Sequence, residues 1–382
     1  MGEPLEQAQE LFSAFEAEMK AELPAGVDIF DAHTHLGNDI DGMTGRFEEL
    51  LDGMNRYGVS RCFMFCLDEP DRHPAFSVCN DRTLAFAERS EGRMIPFVRL
   101  ALDESPIEEA TRCLDLGACG IKLHPRAQGF TATDERLGPV FELAAERHVP
   151  ILIHGGRGLP PVADGLRALV DRWPDATLII AHAGIADLAE LARCMAGRKG
   201  VLFDTSTWSP IDLLDFYRLV PSEQVVYASD YPYGQQPSSL LIAIKTARYA
   251  GYSDDQLRGL LAGTANALAD GRDLPEPTTP LGSELFTQPM QLARIHQYLS
   301  MATPLLWTRQ PDAMGVLGLA INTCGERNGH ADEVDRIREL LETARDLWST
   351  VPAIEDEVEQ RLEMRLTHRL IHIADIEAVT AV

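Results

Sequence analysis

The sequence predicts an α/β fold, a (β/α)8 or TIM barrel flanked by an N-terminal helix and a C-terminal all-helical extension. Three features predict it. Eight short apolar runs, at 27–36, 61–67, 94–101, 120–124, 151–154, 177–182, 201–205 and 225–230, recur at the spacing of a strand plus a crossover helix. Runs such as TLIIA and ILI are apolar at consecutive positions, so both faces of those strands must be covered. The segments between them read as helices, several closing on glycine or proline. A doubly wound open sheet is the rival, but it would normally offer a phosphate loop, and neither GxGxxG nor GxxxxGK[ST] occurs.

In chain order, residues 1–25 form an acidic amphipathic helix, and 26–273 form the barrel. RFEELLDGMNRYG follows the first strand, NDRTLAFAERSEG the second, ESPIEEATRCLDLG the third and RLGPVFELAAERHV the fourth. VADGLRALVDRWP, GIADLAELARCMAG, IDLLDFYRLVP and SLLIAIKTARYAG complete the set. LPEPTTPLG, 274–282, is a Pro/Thr-rich linker, and 283–382 is a helical extension. Its amphipathic helices need a surface on which to bury their apolar stripes, either the barrel mouth or a homodimer interface.

The 382 residues, 45% hydrophobic, suffice for a large core without staples. Asp and Glu number 59 against 34 Lys and Arg, a formal charge of -25, which argues against a nucleic-acid surface but not against a small basic pocket. Seven cysteines, an odd number lying mostly in apolar stretches, read as small hydrophobes. No basic-then-apolar leader opens the sequence, no apolar run approaches bilayer length, and Met-Gly at the start lacks the Ser/Thr of a myristoylation signal. A cytoplasmic protein with a small-molecule substrate and no membrane or nucleic-acid partner is expected.

A barrel's chemistry sits where its strands end. The first strand ends Asp31, Ala32, His33, Thr34, His35, and strict alternation puts Asp31, His33 and His35 on one face, inward if Ile29 continues it. The fourth strand ends with Lys122 and His124, the fifth with His154, the sixth with His182, the seventh with Asp204 and the eighth with Asp230. One core histidine has a bland explanation, a ring packed with its N–H on a carbonyl. Five histidines, three aspartates and a lysine at equivalent positions are costly to desolvate unless a cation matches their lone pairs.

These residues resemble the metal-dependent amidohydrolase superfamily, in the branch that includes aminocarboxymuconate-semialdehyde decarboxylase. The resemblance covers roughly 26–270 and rests on DAHTHLG (31–37), GIKLHP (120–125), IHGG (153–156), AHAG (181–184) and SDYPYG (229–234), with LAGTANALA (261–269) as the closing segment. It implies that His33, His35, His154 and Asp230 bind one divalent metal, Zn2+ first and Mn2+ or Fe2+ as alternatives. Asp230 would also move the proton of the attacking water, and His182 would polarise a carbonyl or hold an oxyanion. A two-metal arrangement stays open, with carboxylated Lys122 as bridge and His182 on the second ion. The implied function is a hydrolase in which metal-activated water attacks the carbonyl of an amide, ester or lactone. The alternatives are a non-oxidative decarboxylase of a small carboxylic acid, and an inactive barrel acting as a binding or regulatory module.

Substrate-facing candidates beside this set are His124, Arg99, Asp204, Trp208, Tyr231 and Tyr233, all at or just past strand ends. The loop DEPDRHPAF reads as solvated, and His148 as a helix end. His368 and His372 are four apart on one helix, but RLI between them lacks the glutamate of HExxH, so no metal site is expected in the extension.

Overall fold

In the computed structural model of the chain, which describes residues 3–282, 287–308, 310, 312–326 and 330–381, all eight predicted strands pair in sequence order. They are β1 (Ile29–Asn38), β2 (Val59–Cys66), β3 (Met94–Arg99), β4 (Gly120–Leu123), β5 (Ile151–Ile153), β6 (Leu178–Ile180), β7 (Val201–Asp204) and β8 (Val225–Val226). Each neighbouring pair in that order is parallel. A two-residue strand, Thr44–Gly45, which the sequence reading missed, pairs antiparallel with the end of β1. Beyond β8 the chain runs back along β1: Ala32 N donates to Tyr227 O at 2.8 Å, Asp230 N to His33 O at 2.9 Å and His35 N to Tyr231 O at 2.7 Å. These bonds join the last strand to the first and close the barrel. Residues 1–2 and 283–286, the outer ends of the predicted N-terminal helix and extension, lie outside the described residues.

The barrel interior is more aromatic than the expected Val/Ile/Leu filling. Phe30, Phe63, Phe65 and Phe97 from three adjacent strands are buried there with Leu152, Ile179, Leu202 and Val226. The Phe30 and Phe63 rings are 4.7 Å apart edge to face, and those of Phe63 and Phe97 are 4.6 Å apart. This dry plug is the floor on which the polar strand ends sit.

β1 departs from strict alternation. Asp31 pairs with Cys62 but Thr34 with Met64, so three steps on β1 match two on β2. The extra residue is a bulge, which re-aims the side chains that follow it. Phe30 and Ala32 therefore face the interior, whereas Ile29 belongs to the core outside the sheet. His33 and His35 face inward only because the bulge resets the phase. Asp31 is not on their face: its buried carboxylate accepts from Ser229 N at 2.9 Å and from Gln236 Nε2 at 3.2 Å, and burial raises its pKa to about 6.

The extension is built from helices Met290–Trp307, Ala313–Cys324, Ala331–Thr350 and Glu357–Thr380. The last of these packs on Gln236–Ala250 and Pro210–Leu219 of the barrel and on the N-terminal helix Glu3–Glu22. Leu366, Leu370, Ile371, Ile373 and Ala374 bury its apolar face, at roughly 1.5–3 kcal/mol for each large side chain. Lys245 bridges Glu377 at 3.1 Å and Glu22 at 3.4 Å, so both chain ends join one helical layer over the barrel.

Within the extension, His296 Nδ1 stands 2.7 Å from Asp375 Oδ1, with both side chains largely buried. Burial alone would lower the histidine's pKa, but the bond to and charge of Asp375 outweigh it and raise it above 6.5. The charge-assisted part of this pair is thus fully present below pH 6.5 and is lost as pH rises through the folded pKa. Asp375→Asn is expected to cost about 3 kcal/mol at pH 6 and clearly less at pH 9. Thermal melts of parent and variant at the two pH values check this; an equal penalty at both would contradict it.

Candidate metal centre

At the C-terminal mouth of the barrel, His33 Nδ1 stands 2.7 Å from Asp204 Oδ2. The carboxylate fixes the proton on Nδ1 and leaves Nε2 as a lone-pair atom. That Nε2 is 3.1 Å from His35 Nε2 and 3.2 Å from Asp230 Oδ1, and His35 Nε2 is 3.3 Å from the same oxygen. Asp230 Oδ1 is buried with no hydrogen-bond partner among the described residues. Ligands bound tetrahedrally to zinc at about 2.0–2.1 Å stand roughly 3.3–3.4 Å from one another. The three atoms therefore have the spacing of a shared coordination shell, and an orphaned carboxylate oxygen facing two imidazole nitrogens is a donor set that a divalent cation fits. His33, His182 and Asp230 also offer ligand atoms within 4.8 Å of one another.

Asp230 and His182 both occupy the left-handed backbone region, at φ 59° each, which is unusual for residues other than glycine. At Asp230 this geometry lets the backbone N–H bond β1 while the carboxylate turns toward the histidines on the same strand. The following turn closes through Gly234 N to Asp230 O at 2.9 Å, and a Cβ at Gly234 would collide with the Ser229 carbonyl. SDYPYG thus requires its final glycine for steric reasons.

His182 is held from two sides. Its Nδ1 is 2.7 Å from Ser206 O, and its backbone N–H donates to Asp204 Oδ1 at 2.8 Å. His154 joins through it, with Nδ1 2.9 Å from His182 Nε2, and stacks at 3.9 Å on His124. In IHGG, a Cβ on Gly156 would come within 2.8 Å of His154 Nε2 and 3.2 Å of the His182 ring, so the glycine keeps the space before both imidazoles open.

Lys122 is fully buried with Nζ 3.1 Å from His33 Nε2 and 4.7 Å from the Phe65 ring centre. Burial lowers its pKa to about 7 despite the opposing charges of Asp230 and Asp204. Burial likewise holds His33 and His35 well below the ordinary histidine range, with the Lys122 charge adding to the effect at both. Neutral imidazoles are the protonation state that metal ligation requires.

The other candidates separate. Asp204 is not a substrate contact: it is fully buried beneath the site, with Oδ2 on His33 and Oδ1 accepting from His182 N, Ser206 N and Ser206 Oγ. Tyr231 turns away from the cavity, its hydroxyl lying 3.2 Å from Arg46 N and 3.4 Å from Glu49 Oε2. Tyr233 does line the cavity, with its ring 6.0 Å from that of His35, as does Trp208. His124 caps the short helix Pro125–Gln128 by accepting from Ala127 N at 3.3 Å, and burial pushes its pKa down to about 2. Arg99 pairs in register with Lys122; it is buried, donates to Cys66 O at 3.3 Å and leaves Nε without a partner. The loop read as solvated instead buries Asp68 and Glu69. Glu69 and Asp71 form a further cluster with Cys79, but Arg82 already neutralises it at 2.5 and 2.7 Å.

Ser206, Ser229 and Gln236 escaped the sequence reading, since single polar residues in loops carry no spacing signal. For the extension the sequence reading offered the barrel mouth as one of two alternatives but named none of its residues for the site. A cavity of about 740 Å³ runs from His154, His182 and Asp230 past Trp208 to Arg365 and His372 on the Glu357–Thr380 helix, a size suited to a small organic ligand.

Residues 31–268 match the family model described as amidohydrolase. Among curated proteins no sequence relative matches the chain. A candidate amidohydrolase of Staphylococcus aureus is 16% identical at a TM-score of 0.52, covering 64% of this chain and 99% of its own. A candidate 2-pyrone-4,6-dicarboxylic acid hydrolase of Acinetobacter baumannii is 12% identical at a TM-score of 0.50, over 64% and 99% of the two chains. The 2,6-dihydroxybenzoate decarboxylase of Rhizobium is 15% identical at 0.50, over 64% and 98%. At such identities the likeness speaks for the fold alone.

Proposed function

Because the chain belongs to the amidohydrolase family, whose model its residues 31–268 match, we propose that it is a metal-dependent hydrolase opening an amide, ester or lactone of a small substrate at the barrel mouth. The observation that carries this reading is the convergence of His33 Nε2, His35 Nε2 and the orphaned Asp230 Oδ1 within 3.1–3.3 Å. His33, His35 and Asp230, with His182 or His154 completing the set, would hold a divalent cation, which would supply an acidified water and a polarised carbonyl when bound.

The chain's own residues do the rest. Asp204 keeps His33 in the tautomer whose Nε2 faces the site. The Asp230 carboxylate, close to both β1 histidines, takes the proton of the attacking water and returns it to the leaving atom. His182 Nδ1 donates to Ser206 O, so its Nε2 accepts from His154 Nδ1 at 2.9 Å, a bond that orients both imidazoles at the mouth and leaves His154 Nε2 as a lone-pair atom. The aromatic floor of Phe63, Phe65 and Phe97 keeps bulk water from beneath.

A second reading, non-oxidative decarboxylation, is favoured by the buried Arg99, whose Nε lacks a partner beside Lys122. Two cations at that depth suit a substrate carboxylate next to the histidines. The test is metal analysis, with and without bicarbonate, followed by turnover of zinc-, manganese- or iron-loaded protein on lactone, ester and amide panels and on aromatic and dienoic acids. Hydrolysis without carbon dioxide release supports the first reading, and carbon dioxide release from the acids replaces it with the second. A chain that takes up no metal defeats both and leaves a binding module.

A further inference from the structure

The helix Glu357–Thr380 carries Arg365, His368, Arg369, His372 and Asp375 at positions i, i+3, i+4, i+7 and i+10, one continuous face. All five line the same cavity as His154, His182 and Asp230, while Leu366, Leu370 and Ile373 on other faces of the helix are buried in the core. Along the stripe Arg365 is exposed, His368, Arg369 and His372 are half-buried and Asp375 is buried, so the charged outer end opens to solvent and to an incoming ligand while the inner end reaches toward the histidine group.

The charges in this cavity do not cancel. Asp212 is paired with Arg157, Asp375 with His296, and Asp230 belongs to the histidine group. Arg365 and Arg369 remain. Among the described residues neither has a carboxylate within ion-pairing distance, although acidic residues outnumber basic ones 59 to 34 in the chain. Arg369 donates to the neutral Gln235 Oε1, 2.8 Å from its Nε, which ties the stripe to the loop that follows Asp230. His372 adds a buried Nε2 with no hydrogen-bond partner.

We infer that this face of the extension selects the substrate, with Arg365 and Arg369 gripping an oxyanion at the end of the molecule remote from the histidine cluster. The inference rests on the proposed reaction at the barrel mouth and names its substrate class: a small molecule with the reacting carbonyl or carboxyl at one end and a carboxylate or phosphate at the other. A guanidinium fork binds either oxyanion in two-point fashion. A local positive wall is also what an anion needs to enter a protein whose overall field is strongly negative. The stripe lies outside residues 31–268, so it belongs to this chain rather than to the family match.

The test is calorimetric binding to the full-length, zinc-loaded chain, with benzoate, isophthalate and 3-phosphonobenzoate as probes bearing one or two anionic groups. Isophthalate or 3-phosphonobenzoate is expected to bind at least tenfold tighter than benzoate, and whichever is tighter identifies the remote group as carboxylate or phosphate. Arg365→Gln should erase that preference while leaving benzoate affinity unchanged. In the unaltered chain the preference should also shrink several-fold between low salt and about half-molar sodium chloride. No preference for the two-anion probes, a preference intact in Arg365→Gln, or one indifferent to salt would each overturn the inference. If the chain takes up no zinc, the metal reading falls; an Arg365-dependent, salt-sensitive preference measured on that protein would still support the wall.

Discussion

His33→Ala and Asp230→Asn are each expected to lower turnover by about 10⁴-fold or more and to abolish or severely weaken zinc binding, with the barrel still folded. Each residue contributes one of the three atoms standing 3.1–3.3 Å apart. Loss of one ligand breaks the group of three convergent atoms to which His182 or His154 adds a fourth, so the divalent ion is held far more weakly against competing water, and the acidified nucleophile is lost with the ion. A 10⁴-fold loss corresponds to roughly 5.5 kcal/mol of transition-state stabilisation. The fold should survive, because the sheet closes through backbone bonds at Ala32, His33 and His35 that neither side chain makes. His33→Ala leaves Asp204 Oδ2 without its 2.7 Å partner, at a cost of about 1–3 kcal/mol, so its melting temperature should drop by a few degrees. Zinc content, steady-state rates and far-ultraviolet circular dichroism on the same preparations check the expectation. Near-parental turnover in either variant would remove that residue from the centre.

The strands were legible because parallel strands buried on both faces must be apolar at consecutive positions, and ILI at 151–153 and LII at 178–180 appear where those runs predict. Apart from β1, which runs on to Asn38, the observed strands are shorter at their C-terminal ends, since residues such as His154, His182 and Asp230 leave the ladder to form the site. What alternation could not supply was the phase of β1. A period of two assigns Asp31 to the same face as His33, but the bulge inserts one residue, and nothing in AHTH marks a bulge. Asp204 was legible as a polar strand end but not as the anchor of two histidines, because its role depends on what lies across the barrel. The stripe on the last helix was present in the sequence as RLTHRLIHIAD. The His368–His372 spacing belongs not to a zinc motif but to an amphipathic pattern, in which arginines and histidines share one face and leucines and isoleucines the others.

Asp204→Asn is expected to reduce turnover by roughly 10³–10⁴-fold and to weaken zinc binding by about 10–100-fold, although Asp204 touches neither a substrate nor the three convergent atoms. The reason is the direction of each hydrogen bond. In the parent, both carboxylate oxygens only accept: Oδ2 from His33 Nδ1, and Oδ1 from His182 N, Ser206 N and Ser206 Oγ. An asparagine has one oxygen, and three donors around Oδ1 hold it there. Its amide NH2 must then face His33 Nδ1, where two N–H groups meet. The histidine escapes by moving its proton to Nε2, the atom that lies 3.1 Å from His35 Nε2 and 3.2 Å from Asp230 Oδ1. A proton there occupies the lone pair the centre uses. Asp204→Glu, which keeps the acceptor but lengthens its reach, would shift the ring while preserving its tautomer. The two variants therefore separate protonation from position: zinc affinity should fall further in the asparagine variant, and that deficit should not ease as pH rises, because moving one proton between the two ring nitrogens releases none to solvent. Equal zinc affinities in Asp204→Asn and the parent would show that the carboxylate does not set the state of His33.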